Sequence, residues 1–156
     1  MIDDDRRALL ESPCSLVVGT VAPDLLPDAT RGWAVVVDAR EGTLRLLLSA
    51  SAATSIENLR ATGVVAVTAT EFQTLESVQV KGRVDGIEDP SRDDRARFDA
   101  FCDGMVAAVS AIDGVPPEIV RRALPDDVVA CVVRIEELFD QTPGPSAGAR
   151  LARVEA

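Results

Sequence analysis

Histidine is missing from all 156 residues. Its absence removes Ser-His-Asp and Cys-His nucleophile systems, histidine zinc sites and histidine-ligated haem together. Cysteine is scarce: residues 14, 102 and 131 are widely spaced and odd in number, so they form neither a disulfide framework nor a CxxC pair. All three read as reduced thiols in a cytosol. Cys131, inside Val128-Val-Ala-Cys-Val-Val133, reads as core packing, the usual place of a free cysteine. No apolar run approaches the ~18 residues that span a bilayer, and no membrane association is expected. The start, Met1-Ile-Asp-Asp-Asp-Arg-Arg7, puts acids where a signal peptide carries its positive region. A cytoplasmic location is the expectation. Basic residues are the minority, 16 against 26 acidic for a net charge of −10, which disfavours a general attraction to nucleic acid or anionic lipid. A phosphate would have to be held by local donors.

What is present is enough apolar material, 47% of the chain, for one core in a chain of single-domain length. Residues 1–140 read as that domain and 141–156 as a Pro/Gly-rich C-terminal tail. Residues 3 to 11 form a short acidic-started helix that Ser12-Pro13 stops. Ser15 to Ala22 is a strand, and Pro23 to Asp28 is rich in turn residues. Trp33 to Asp38 and Thr43 to Ser49 make a hairpin. Ser51 to Thr62 is a helix with Gly63 as its C′ residue. Val64 to Thr70 and Leu75 to Ile87 are strands; in the second, Val78, Val80 and Val84 face one way, Ser77, Gln79, Lys81 and Arg83 the other.

Asp89-Pro90-Ser91 starts a helix whose Phe98, Phe101, Met105, Val109 and Ile112 make one apolar stripe. A shorter helix follows Pro116-Pro117, and Val128 to Ile135 is the last strand. Five or six strands, mostly hairpin-linked, with helices inserted after the third and fifth, indicate a mainly β protein. The expected form is a small antiparallel barrel, Greek-key-like, with packed helices. The run Ala34-Val-Val-Val37 suits a strand covered on both sides, the second cover being a partner subunit. Asp93, Asp94, Asp99 and Asp103 lack the glycine-turned loop and terminal glutamate of a calcium site and read as a solvated helix face. No metal is expected. Arg45 and Arg60 are placed on the exposed sides of their strand and helix.

The order of these pieces from Leu16 to Val84 resembles the FMN-binding split-barrel family related to pyridoxamine 5′-phosphate oxidase. The resemblance rests on Leu26-Pro-Asp-Ala-Thr-Arg31, Leu46-Leu-Leu-Ser49, Thr54-Ser-Ile-Glu-Asn-Leu59 and Ser77-Val-Gln-Val-Lys-Gly-Arg-Val84. Phe139 to Gly148 looks like the tail of uncharacterised members. The resemblance implies a split β-barrel homodimer with two clefts, each lined by both chains and holding FMN against the outer barrel face.

Where the family offers an arginine and a lysine to the phosphate, this chain has Thr54 and Ser55. Ser49, Ser51, Thr54 and Ser55 surround a helix start, which is either an anion cradle or a capped N-terminus. Arg31 serves the phosphate or ends its strand in solvent. Trp33 lines the cleft or an interface, and Ser77 and Lys81 sit on a face that is cleft or solvent. Together Arg31, Trp33, Ser49, Ser51, Thr54, Ser55, Ser77 and Lys81 are the expected cofactor-binding set. No catalytic side chain is expected, because a flavin carries the redox chemistry itself. The implied function is that of a flavin-dependent oxidoreductase binding FMN and a small molecule. Two alternatives stay open: a deazaflavin cofactor, or a dimeric barrel that has lost its cofactor.

Overall fold

The computed structural model describes residues 2–153. Helix α1 (Asp4–Glu11) starts at Asp3, whose side chain accepts from the Arg6 backbone N–H. Six antiparallel strands then close a barrel: β1 (Ser15–Val21), β2 (Pro27–Asp38), β3 (Thr43–Ser49), β4 (Val64–Thr70), β5 (Ser77–Glu88) and β6 (Val128–Asp140). They run in the spatial order β3-β2-β1-β4-β5-β6, and β6 also pairs with β3 to shut the ring. Closure leaves these strands with no free edge. The small antiparallel barrel expected from the hairpin spacing is therefore the observed one.

Alternation along the strands builds the interior. Leu16, Val18, Leu46, Leu48, Val67 and Val80 are each 0–1% exposed, and their neighbours in sequence face outward. Gly32 interrupts β2 on the inner side. A Cβ there would lie 3.0 Å from the Leu16 Cβ, and the β2–β3 register shifts between Gly32 and Val35. This bulge re-aims the residues on either side of it, Arg31 and Trp33.

Helix α2 (Ala53–Thr62) ends at Gly63, whose φ of 69° is the left-handed C-cap expected of it. Its inner face is tied to β1: buried Asn58 donates to Thr20 Oγ1 at 3.1 Å, and Thr62 Oγ1 donates to the Val21 carbonyl at 3.0 Å. Helix α3 (Arg92–Asp113) begins with a reciprocal capping box between Ser91 and Asp94. It crosses the outer face of β2 and carries the short α4 (Pro117–Arg121).

Several expectations need correction. The outer side of Ala34–Val37 is covered by this chain itself: Ala34 and Val35 share a small cavity with Pro13 and Phe101, and the Val37 N–H donates to Glu11 Oε1 at 2.8 Å. Arg45 is only partly exposed; it reaches α3 and binds Asp94 through two hydrogen bonds of 2.7 and 2.8 Å. Asp94, read as part of a solvated face, is 3% exposed. The strand expected from Trp33 begins at Pro27, and β6 runs five residues past Ile135. Within 141–156, a seventh strand, β7 (Arg150–Arg153), adds to the outside of β6.

Candidate functional site

Strand β2, the end of β3 and the loop before β6 enclose a cleft of about 520 Å³. Arg31, Trp33, Ser49 and Ser51 all line it, so four of the expected residues come together. Its far wall is the segment Ala123–Asp127, anchored where the Ala50 N–H donates to the Asp127 carbonyl at 2.9 Å. Sequence reading missed this wall. Its one local signal was the turn-forming Pro125-Asp-Asp127. The Arg31 side chain is exposed and makes no hydrogen bond or ion pair among the described residues. Trp33 is 5% exposed, so it packs into the chain's own body and offers the cleft an edge.

A second depression adjoins the first through Thr30 and Ser51 and reaches Asp28, Thr54 and Ser55 at the start of α2. Among the described residues no side chain caps this helix; its N-cap residue is Ala52. Ser49 and Ser51 bond to each other at 2.7 Å. Thr54 is exposed, whereas Ser55 is 1% exposed and donates its hydroxyl to Asp28 Oδ2 at 2.5 Å. Ser55 is therefore occupied by a carboxylate. The sequence around Asp28 reads as a turn; in β2 it pairs with Thr20 of β1, which directs it to α2.

Ser77 and Lys81 lie elsewhere in the chain. Ser77 is 7% exposed, bonds with Thr70 Oγ1 and donates to the Leu75 carbonyl at 2.8 Å. Lys81 Nζ stands 4.4 Å from the centre of the Phe139 ring, a cation–π contact, in a separate groove of about 370 Å³ with Arg83 and Glu137. The strand register nevertheless joins the two regions. Arg31 pairs with Val17, Val17 with Thr68, and Thr68 with Gln79. The next row is Ala29, Gly19, Ala66 and Lys81. Outward-facing residues in these two rows form one patch of mostly small side chains with Arg31 at one end and Lys81 at the other.

The three thiols lie outside this patch and are buried. Desolvation pushes Cys14 and Cys102 up to about 11 and Cys131 to about 12. They are protonated at neutral pH and serve as core residues, not nucleophiles. Among the described residues, no group of three or more Cys, Asp or Glu side chains is placed to hold a metal ion, and no helix is long and apolar enough to cross a membrane.

The barrel's likeness to solved structures covers nearly the whole chain. An F420 reductase superposes with a TM-score of 0.60 at 22% identity, covering 88% of this chain and 98% of that one. An FMN-binding protein from Syntrophomonas wolfei gives 0.54 at 11% identity, covering 96% and 85%. HutZ, the haem storage protein from Vibrio cholerae, gives 0.52 at 16% identity, covering 88% and 93%. No curated protein matches the chain. At these identities the likenesses establish the fold, while the family is set by the sequence itself. Residues 2–141 match the family model of pyridoxamine 5′-phosphate oxidase, and the chain belongs to that family.

Proposed function

We propose that the protein is a flavin-dependent oxidoreductase that binds FMN between two copies of the chain. The outer barrel patch from Arg31 to Lys81 carries this reading. Gly19, Ala29 and Ala66 keep it shallow enough for a planar ring: a Cβ added at Gly19 would meet only Ala66, at 4.0 Å. Arg31 supplies an unengaged cation for a phosphate, and Gln79 and Lys81 supply polar groups at the other end. The bound flavin would accept and pass on the electrons, and the chain's part is to hold and orient it.

Haem, which the Vibrio protein stores, fits this chain poorly. No histidine exists to ligate it, and the three thiols are shut in the core. A deazaflavin is the second reading, since an F420 reductase shares this fold. Absorption of the freshly purified protein and of the small molecules released on denaturation distinguishes the two cofactors. Protein that releases neither, and shows no fluorescence change when titrated with either, overturns both readings.

Arg31→Ala is expected to weaken FMN by about 1.5–3 kcal/mol, the range for a hydrogen bond to a charged group. This is roughly a ten- to hundredfold rise in Kd. Riboflavin, which lacks the phosphate, should be almost indifferent. Equal losses for both ligands would place Arg31 at the ring.

The homodimer is part of the same proposal. Val17 is 47% exposed at the middle of the patch, and an exposed apolar side chain among small neighbours fits a face covered by a second copy. Light scattering should give about twice the 16.5 kDa chain mass, and Val17→Glu should shift the species toward monomer by burying a charge in the contact. A monodisperse wild-type monomer at micromolar concentration removes the shared-cleft model.

A further inference from the structure

We propose that Asp28 sets the ligand charge this site accepts: its clamped carboxylate keeps a phosphate away from the start of α2, leaving Arg31 as the phosphate contact. The proposal rests on the flavin reading above and goes further, since it assigns a specificity role to a residue outside the expected set.

The first N–H groups of α2 have no side-chain partner at Ala52, and an uncapped helix start attracts negative charge. In this chain that charge is built in. Asp28 lies in the same depression as Ala53, Thr54 and Ser55, and Ser55 holds it by a hydroxyl-to-carboxylate bond of 2.5 Å. Ser55 is itself 1% exposed on the inner side of the helix, so it has little freedom to release its partner. A fixed carboxylate beside the helix start offsets part of the local positive potential and repels a second anion at short range. Thr54, the exposed neighbour, brings a hydroxyl and no charge to offset that repulsion.

Arg31 stands on the other side of Thr30 and Ser51, the two residues shared by both depressions. With the ring on the outer patch, an anion carried past Arg31 toward α2 meets Asp28, while Arg31 is, among the described residues, the one cation of a cleft that Asp126 and Asp127 also line. The site discriminates by where on the ligand the anion lies.

Asp28→Asn tests this with little change of shape, since the amide oxygen still accepts from Ser55. Binding of FMN and riboflavin is measured by fluorescence quenching for wild type and variant, with melting temperature as the control for folding. FMN is expected to tighten about tenfold, the scale of relieving one partly screened like-charge contact. Riboflavin should change less than twofold. Ser55→Ala, which unclamps the carboxylate and lets it turn to solvent, should move FMN in the same direction by a smaller factor. If riboflavin binds both proteins and FMN affinity does not change, the role given to Asp28 is overturned while the flavin reading survives. Equal tightening of both ligands also overturns it, because Asp28 would then act on the ring or polyol. If neither ligand binds either protein, the flavin reading and this inference fall together.

Discussion

Arg45→Met is expected to cost about 3–5 kcal/mol of folding stability at pH 7, the range for stripping one partner from a buried ion pair. A surface ion pair would cost under about 1 kcal/mol. The difference lies in Asp94, which is 3% exposed. Its two oxygens accept from Arg45 Nε and Nη2, while Oδ2 also accepts from the backbone N–H and hydroxyl of Ser91, both at 2.8 Å. Arg45 in turn reaches Glu88 Oε2 at 3.0 Å. Removing the guanidinium leaves a carboxylate that burial penalises and only the helix cap supports. The variant Arg45→Met with Asp94→Asn should recover part of the loss, because no unpaired buried charge remains.

The same pair dictates how stability follows pH. The Arg45 guanidinium holds the Asp94 carboxyl at about 2, well below the ordinary aspartate range, and the bond raises the already high Arg45 value further. A depressed carboxyl stabilises the fold fully above its unfolded value near 4 and loses that stabilisation as pH falls toward 2. About 2 kcal/mol should therefore drain from the wild type over that window. In Arg45→Met the carboxyl is no longer held down, so the gap between variant and wild type should narrow from pH 5 to pH 2. Urea unfolding at pH 7, 5 and 3 measures it. A gap that stays constant across this range means that the pair does not control the acid limb.

Arg45 also shows where sequence reading stops. Period-two alternation in β3 correctly places Leu44, Leu46 and Leu48 inside and Arg45 outside, and an outward charge is ordinarily solvated. The element that covers it, α3, starts 47 residues later, and no local pattern announces the contact. Ser91 and Asp94 have capping-box spacing, so the helix start was legible; that the same carboxylate also takes an arginine from a strand was not. The bounds of β3 and β4 were readable because each is an apolar strand ended by a turn or a helix. The first half of β2 was hidden by Pro27 and Asp28, turn formers that here sit in a strand paired to β1. Misreading that half as a turn concealed Asp28, while Arg31, Ser49 and Ser51 were reachable through the order of elements. Glu136, Glu137 and the Pro/Gly-rich stretch after Asp140 likewise hid the end of β6 and the approach to β7, because strand pairing outweighs weak strand propensity.

Gly82→Ala should be the most damaging single methyl in the barrel, costing about 3 kcal/mol or more, at or beyond the upper end for overpacked interiors. Its Cβ would lie 2.1 Å from the Arg134 carbonyl oxygen, 3.1 Å from the Arg134 carbonyl carbon and 3.2 Å from Val133 Cγ1. The nearest obstacle is backbone, which cannot swing aside as a long side chain does. Arg134 belongs to β6, which pairs with β5 on one side and β3 on the other, so relief on one side strains a ladder on the other. Close approach arises at the irregularity between Lys81 and Gly82, where the partner changes from Glu137 to Ile135. Space, not left-handed backbone, is the reason for glycine here. Gly86, in the same strand, has nothing within 4 Å of an added Cβ, and Gly86→Ala should stay within about 0.5 kcal/mol of wild type. A loss of 3 kcal/mol in a chain of this length lowers Tm by roughly 6–12 °C. The functional effect should come with it: Lys81 and Gln79 project from the displaced strand, so the folded fraction of Gly82→Ala should bind flavin more weakly than Gly86→Ala at a temperature where both are native. Equal Tm values for the two alanine variants would show that β6 yields at this bulge, and equal flavin affinities would show that the Gln79–Lys81 end of the patch does not touch the ligand.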